Sequence, residues 1–111
     1  MTVTVLNIIP AKSILAAQTG QYTANAVKTV IDKFTVTNES AVAQSFNVHL
    51  VPSLGTATAS NRIIYERDIG AGECYTCPEL VGHVLEAGGF ISTSASNDNV
   101  LTIRASGREI S

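Results

Sequence analysis

From Val30 to Thr37 the chain alternates, with Phe34 and Val36 apolar and Lys33, Thr35 and Thr37 polar. Successive side chains of a strand point to opposite faces, so this spacing turns Phe34 and Val36 inward. Asn38-Glu39-Ser40 ends the run with side chains that favour turns. Ser45 to Pro52 repeats the alternation, with Phe46, Val48 and Leu50 on one face and Asn47 and His49 on the other. The two runs are expected to be neighbouring antiparallel strands.

A polar loop from Pro52 to about Ser60 precedes a third run, Arg62 to Ile69, in which Ile63, Tyr65 and Ile69 are expected on one face. Gly70-Ala71-Gly72-Glu73 reads as a turn, Glu73 to Cys77 as a short strand, and Pro78 ends it because proline has no N–H to give a ladder. Leu80, Val81, Val84 and Leu85 have the spacing of a single helical turn or of a crossover plugged onto the core. Phe90 to Ser94 and Val100 to Arg104 read as a hairpin joined by Ala95 to Asn99. At the N-terminus, Val3 and Val5 alternate with Thr2 and Thr4, and Ser13 to Thr23 holds one further strand or two short ones.

The pattern predicts an all-β protein: a single β-sandwich or jelly-roll-like domain of about seven to eight antiparallel strands. Residues 1–20 read as an N-terminal arm or edge-strand region and 21–111 as the sandwich. Composition agrees, since Thr, Val and Ile supply 33 of the 111 residues and these types favour pleated surfaces. A chain of this length buries a core without disulfides or metal.

Formal net charge is −2 and only 14% of residues are charged, which provides no basic field for a phosphate backbone, so nucleic acid is not an expected partner. Apolar runs are far shorter than the roughly 20 residues of a membrane-spanning helix. MTVTVLNIIPAK has neither a basic start nor an adequate apolar stretch for a secretory signal, which points to folding in a reducing cytoplasm.

The only cysteines, Cys74 and Cys77, form a C-x-x-C. Residues three apart on a strand face opposite ways, so the two thiols meet only if the chain turns between them. A redox pair gains reactivity at a helix N-terminus inside a βαβ unit, and no such pattern surrounds these two. Zinc needs four ligands, and His49 and His83 are the only histidines to complete a set. The expectation is therefore two ordinary small apolar thiols and no metal.

Glu66, Asp68, Glu73, Glu79 and Glu86 supply carboxylates that read as solvated side chains on strands and turns, and no nucleophile elbow or His-Glu-x-x-His motif occurs. Gly70-Ala71-Gly72 and Gly88-Gly89 are turn glycines, too short and wrongly placed to cradle a phosphate. Three Tyr, three Phe and no Trp leave little for an aromatic sugar platform, with Tyr22, Tyr65 and Tyr75 as the available contacts. The chain is expected to be no enzyme and to carry no cofactor.

Several stretches carry a resemblance: Gln21 to Ala24, Val30 to Asn38, His49 to Ser53, Ile69 to Glu73, Pro78 to Gly88 and Ala105 to Gly107. Together they resemble small β-sandwich structural proteins of tailed bacteriophages, over roughly Gln21 to Ser111. In size and character the chain is most similar to capsid decoration, or cement, proteins. The resemblance implies a non-enzymatic virion protein on the capsid surface, assembled in the host cytoplasm, that binds the major capsid protein and copies of itself and stabilises the shell. A tail- or fibre-associated module binding a receptor or glycan is the alternative. Thr2, Val3, Thr4, Val5, Ile8 and Ile9 are the candidate contact residues, because an edge strand there offers free backbone groups to a neighbour.

Overall fold

A computed structural model describes residues 1–111 and is all-β. Its strands are β1 (Val3–Ser13), β2 (Thr19–Thr23), β3 (Lys28–Asn38), β4 (Gln44–Val51), β5 (Arg62–Ile69), β6 (Cys74–Tyr75), β7 (Val84–Leu85), β8 (Phe90–Ala95) and β9 (Leu101–Ile110). A single 3-10 turn at Ala59–Asn61 is the only helical element, and no helix is long and apolar enough to cross a membrane.

Two antiparallel sheets pack face to face. One runs β1-β9-β3-β6, with β7 also paired to β3, and the other runs β2-β8-β4-β5. The pairs β4:β5, β3:β6/β7, β2:β8 and β1:β9 nest within one another as rungs of one long hairpin, and successive rungs fall in opposite sheets. The added pairs β3:β9 and β4:β8 close the roll. This nesting is the jelly roll. The molecule measures 46 × 26 × 19 Å along its principal axes.

The interior is aliphatic with two phenylalanines. Phe34, Val36 and Ile31 of β3 and Leu101, Ile103 and Ala105 of β9 face Phe46 and Val48 of β4, Ile91 of β8 and Ile64 and Ile69 of β5. Ile8 and Ile9 of β1 also lie in this core, consecutive residues that both face inward because β1 slips register against β9 between Leu6 and Ile9. Tyr22 of β2 pins the two sheets together, its hydroxyl meeting Thr29 of β3 at 2.7 Å and donating to Glu109 of β9.

The roll departs from the sequence expectation in strand partnership, in facing on β5 and in the length of the short strand, which covers only Cys74–Tyr75. At residues 78–85 it takes the plugged crossover rather than the helical turn. The runs on β3 and β4 are not neighbours: they lie in opposite sheets. The Asn38 side chain redirects the chain, donating to the carbonyls of Val42 and Ile69 at 2.8 Å each and accepting from the Ser40 N–H at 2.9 Å. This Asx turn carries the chain across the sandwich instead of back along the same sheet. β8 and β9 likewise form no hairpin, because their loop arches between sheets with Asn99 left-handed at φ 59° and with Ser96 and Asn97 both donating to Gln44 Oε1.

On β5, Ile64 and not Ile63 or Tyr65 is buried together with Ile69. Ile64 and Ile69 are an odd number of residues apart, and the left-handed Glu66, φ 46°, supplies the bulge that lets both face inward. Residues 78–82 form two consecutive turns, with Leu80 N–H donating to Cys77 O and His83 N–H to Leu80 O, and Val84–Leu85 then pairs with β3 as a strand. Leu80 and Leu85 plug the core while Val81 and Val84 face out.

Candidate functional site

The C-x-x-C divides across the sheet. Cys74 pairs with Thr37 on the outer face and is exposed, whereas Cys77 lies past the end of β6 and is buried, and both thiols are free. Burial, helped by the nearby Glu79 carboxylate, pushes the Cys77 thiol up to about 12. Its Sγ lies 3.8 Å from the Tyr75 carbonyl, to which it donates weakly. Tyr75 packs its ring 6.4 Å from that of Phe46, lies under the Arg67 guanidinium at 4.2 Å, and donates its hydroxyl to Glu79 at 2.6 Å. That hydrogen bond holds the Glu79 carboxyl below the ordinary carboxylate range.

His49 sits on the outer face of β4, opposite Ser92 of β8 and Arg62 of β5, and is buried. Desolvation, then the Arg62 charge, lower its pKa. His83 is exposed on the turn before β7, far along the chain from β4, and no three His, Cys, Asp or Glu side chains gather into a group able to hold a metal ion. Glu66, Asp68, Glu73, Glu79 and Glu86 are all exposed, Glu86 pairing with Lys28 at 3.7 Å. The three tyrosines are apart in role: Tyr22 bridges the sheets, Tyr75 caps one end of the core, and Tyr65 is exposed beneath Arg62 at 3.7 Å.

Two open depressions mark the surface. One of about 210 Å³ lies between the end of β4 (Leu50, Val51, Pro52) and β7 (Val84, Leu85). The other, about 370 Å³, is lined by Asp32, Lys33, Thr76, Pro78 and Val81.

The outer faces of the two sheets differ in chemistry. On the β2-β8-β4-β5 sheet the face is polar, with Arg62 at its β5 edge: Asn47 donates to Ser94 at 3.1 Å, Gln18 donates to Ser92 at 2.8 Å, and the Glu66 N–H donates to Asn47 at 2.7 Å. On the other sheet, register stacks aliphatic residues across all the strands at one end. Val5 of β1, Arg108 of β9, Val30 of β3 and Val84 of β7 stand in one row, and Val3, Ile110 and Lys28 in the next. The opposite side of these strands carries the buried Thr29 and Leu85, which fixes both rows on the outer face. Val5 is 76% exposed and Val3 and Val84 each 49%. The one cation within the Val5–Val84 row is neutralised in place, since Arg108 grips Asp32 through two nitrogens at 2.9 Å.

Of the residues singled out from sequence, Thr2, Val3, Thr4 and Val5 are exposed at this end of β1. Ile8 and Ile9 are not available to a partner, being 5% and 1% exposed in the core. Val30, Val84 and Ile110 belong to the same patch and escaped the sequence reading, because only the strand register brings segments so distant in sequence into adjacent rows. Compared with protein-family models, curated proteins and solved structures, the chain matches none.

Proposed function

We propose that this is a structural protein of a tailed-bacteriophage virion, a capsid decoration protein that binds the major capsid protein and its own copies on the shell surface and stabilises the shell. The jelly roll by itself does not select this role, since viral shell and lectin domains share it. The observation that carries the reading is that Val3, Val5, Val30, Val84 and Ile110 are grouped in adjacent rows across four strands, whereas the other exposed apolar side chains, such as Val42, Leu54 and Tyr65, lie on separate segments. Apolar surface left against water and grouped across strands is characteristic of protein contact. Stable contacts bury about 1,600 Å² in total, and weaker ones act together when repeated around a shell. The phage-like stretches Ile69 to Glu73 and Pro78 to Gly88 support the same setting.

Sedimentation with undecorated capsids tests it: binding should saturate at a fixed number of copies per shell, and Val5→Lys with Val84→Lys should abolish it. Binding that never saturates, or that survives the double variant, contradicts the reading. A glycan-binding role on a tail or fibre is the second reading, with Asn47, Ser94 and Gln18 on the other sheet as its polar surface contacts, Ser92 being buried beneath Gln18. Glycan-array binding lost in Asn47→Ala, with no binding to shells, would select that role.

A further inference from the structure

A sheet edge is a template for pairing unless it is short, bulged, charged or blocked by proline. Three of the four edges here are protected. β6 and β7 are two residues each, separated by turns. β2 has five residues and a register slip between Gly20 and Tyr22. β5 carries Arg62, Glu66, Arg67 and Asp68 and pairs irregularly with β4. β1 is different in its two halves. Its second half has two register slips, Pro10 and Lys12, whereas from Thr2 to Leu6 it is regular and uncharged.

Hydrogen-bond parity shows what this half offers. Thr2 and Ser111 exchange both backbone bonds, at 3.2 and 3.0 Å. Along an antiparallel pair the bonded positions recur every second residue, so Thr2, Thr4 and Leu6 spend their N–H and C=O groups on β9. Val3 and Val5 therefore turn theirs outward. The triplet Val3-Thr4-Val5 also reads the same in both directions, so a second copy approaching antiparallel meets each residue with its own kind.

Building on the proposed adhesive role, we infer that this chain pairs with a second copy of itself, β1 to β1, about a two-fold axis at Thr4. Val3 of each copy exchanges backbone hydrogen bonds with Val5 of the other, and the Thr4 residues face each other as the non-bonded pair. Such a contact is isologous and closes at two copies. It joins the β1-β9-β3 sheets of both copies into one sheet and runs their outer aliphatic rows together across the seam. The occupant of this edge is thus a second copy, which leaves Val30 and Val84 on the far side of the patch for a different partner.

Disulfide trapping of the purified chain, without capsids, tests the register. Non-bonded antiparallel partners have Cα atoms about 4.5 Å apart, within disulfide range. In a Cys74→Ser background, Thr4→Cys should cross-link nearly completely into dimers under mild oxidation, at least tenfold faster than Leu15→Cys, an exposed site beyond the regular half of β1. Equal rates at the two positions would overturn the inference. Val5→Pro gives a second readout, because it removes an N–H that the β1:β9 ladder does not use. It should abolish the concentration-dependent dimer seen by sedimentation while leaving the melting temperature within a few degrees. A dimer that survives Val5→Pro, or a wild-type chain that stays monomeric at millimolar concentration, contradicts the pairing. Because no shell is present, dimerisation without capsid binding upholds this inference and removes the capsid role, and capsid binding without dimerisation does the reverse.

Discussion

Gly107 lies in the middle of the β3:β9 pair, opposite Ile31, and this position sets a sharp prediction for Gly107→Ala. A Cβ there would stand 2.3 Å from the Val30 carbonyl oxygen, and ordinary van der Waals contact begins about 1 Å farther away. The obstacle is backbone of the central strand of its sheet, so relief requires β3 and β9 to move apart next to the register slip between Ile31 and Lys33. Overpacking of this kind costs about 1–3 kcal/mol, and the upper part of that range applies because no side chain can rotate away. Strand propensity alone predicts the opposite sign, since alanine is normally favoured over glycine inside a strand by roughly 0.5–1 kcal/mol. Gly20→Ala is the control: its Cβ would meet only Phe90 Cδ2, at 3.9 Å, and should leave stability unchanged or raise it by a few tenths of a kcal/mol. Urea unfolding followed by circular dichroism measures both. Gly107→Ala is expected to lose about 2–3 kcal/mol, or on the order of 10 °C in melting temperature. A Gly107→Ala chain as stable as wild type would refute the close approach of β3 to β9 and the register built on it.

Tyr22→Phe should lower stability by about 1–2 kcal/mol, because it leaves Thr29 and Glu109 without the hydroxyl that joins the sheets. Burial and the Glu109 hydrogen bond raise the Tyr22 pKa to about 12 in the folded chain, so its contribution is full below pH 10 and lost as pH climbs from 10 to 12; absence of that loss in urea titrations, relative to Tyr22→Phe, contradicts the bridge. For His49 the sign is reversed: its folded pKa lies below 6.5, so the unfolded chain takes up its proton first and stability falls as pH drops below 6.5. His49→Gln should flatten that slope between pH 6.5 and 5, and an unchanged slope would place the titration elsewhere. Thiol labelling of the native chain at pH 8 should modify Cys74 rapidly and Cys77 only on unfolding; two equally fast thiols would contradict the burial of Cys77.

The strands themselves were legible because alternation is a local property. Phe34, Val36, Phe46 and Val48 point inward as the two-residue period requires. Strand partnership is not local. The five residues between Asn38 and Gln44 suit a hairpin and an inter-sheet arch equally, and the choice is made by Asn38 reaching Ile69, a residue thirty-one positions away. Facing was misread on β5, and Ile8 and Ile9 were assigned to a contact edge instead of the core, for one reason: a bulge shifts the period by one residue, and nothing in the amino-acid pattern marks Glu66, or the stretch between Leu6 and Ile9, as its place.

Of the patch, the β1 half was visible as an apolar edge at Thr2 to Val5, while Val30, Val84 and Ile110 became part of it only through pairing. The separation of Cys74 from Cys77 was expected from alternation along a strand, but it arises differently: β6 ends at Tyr75, and Cys77, left-handed at φ 46°, turns into the core while Cys74 stays exposed.

Shell stability tests the central claim most directly. Capsids saturated with this protein should disassemble at a higher temperature than bare capsids, with the gain rising in step with copies bound and lost in the Val5→Lys, Val84→Lys variant. Bare and protein-treated shells that disassemble at one temperature, although the chain is folded and present in excess, would contradict a cementing role.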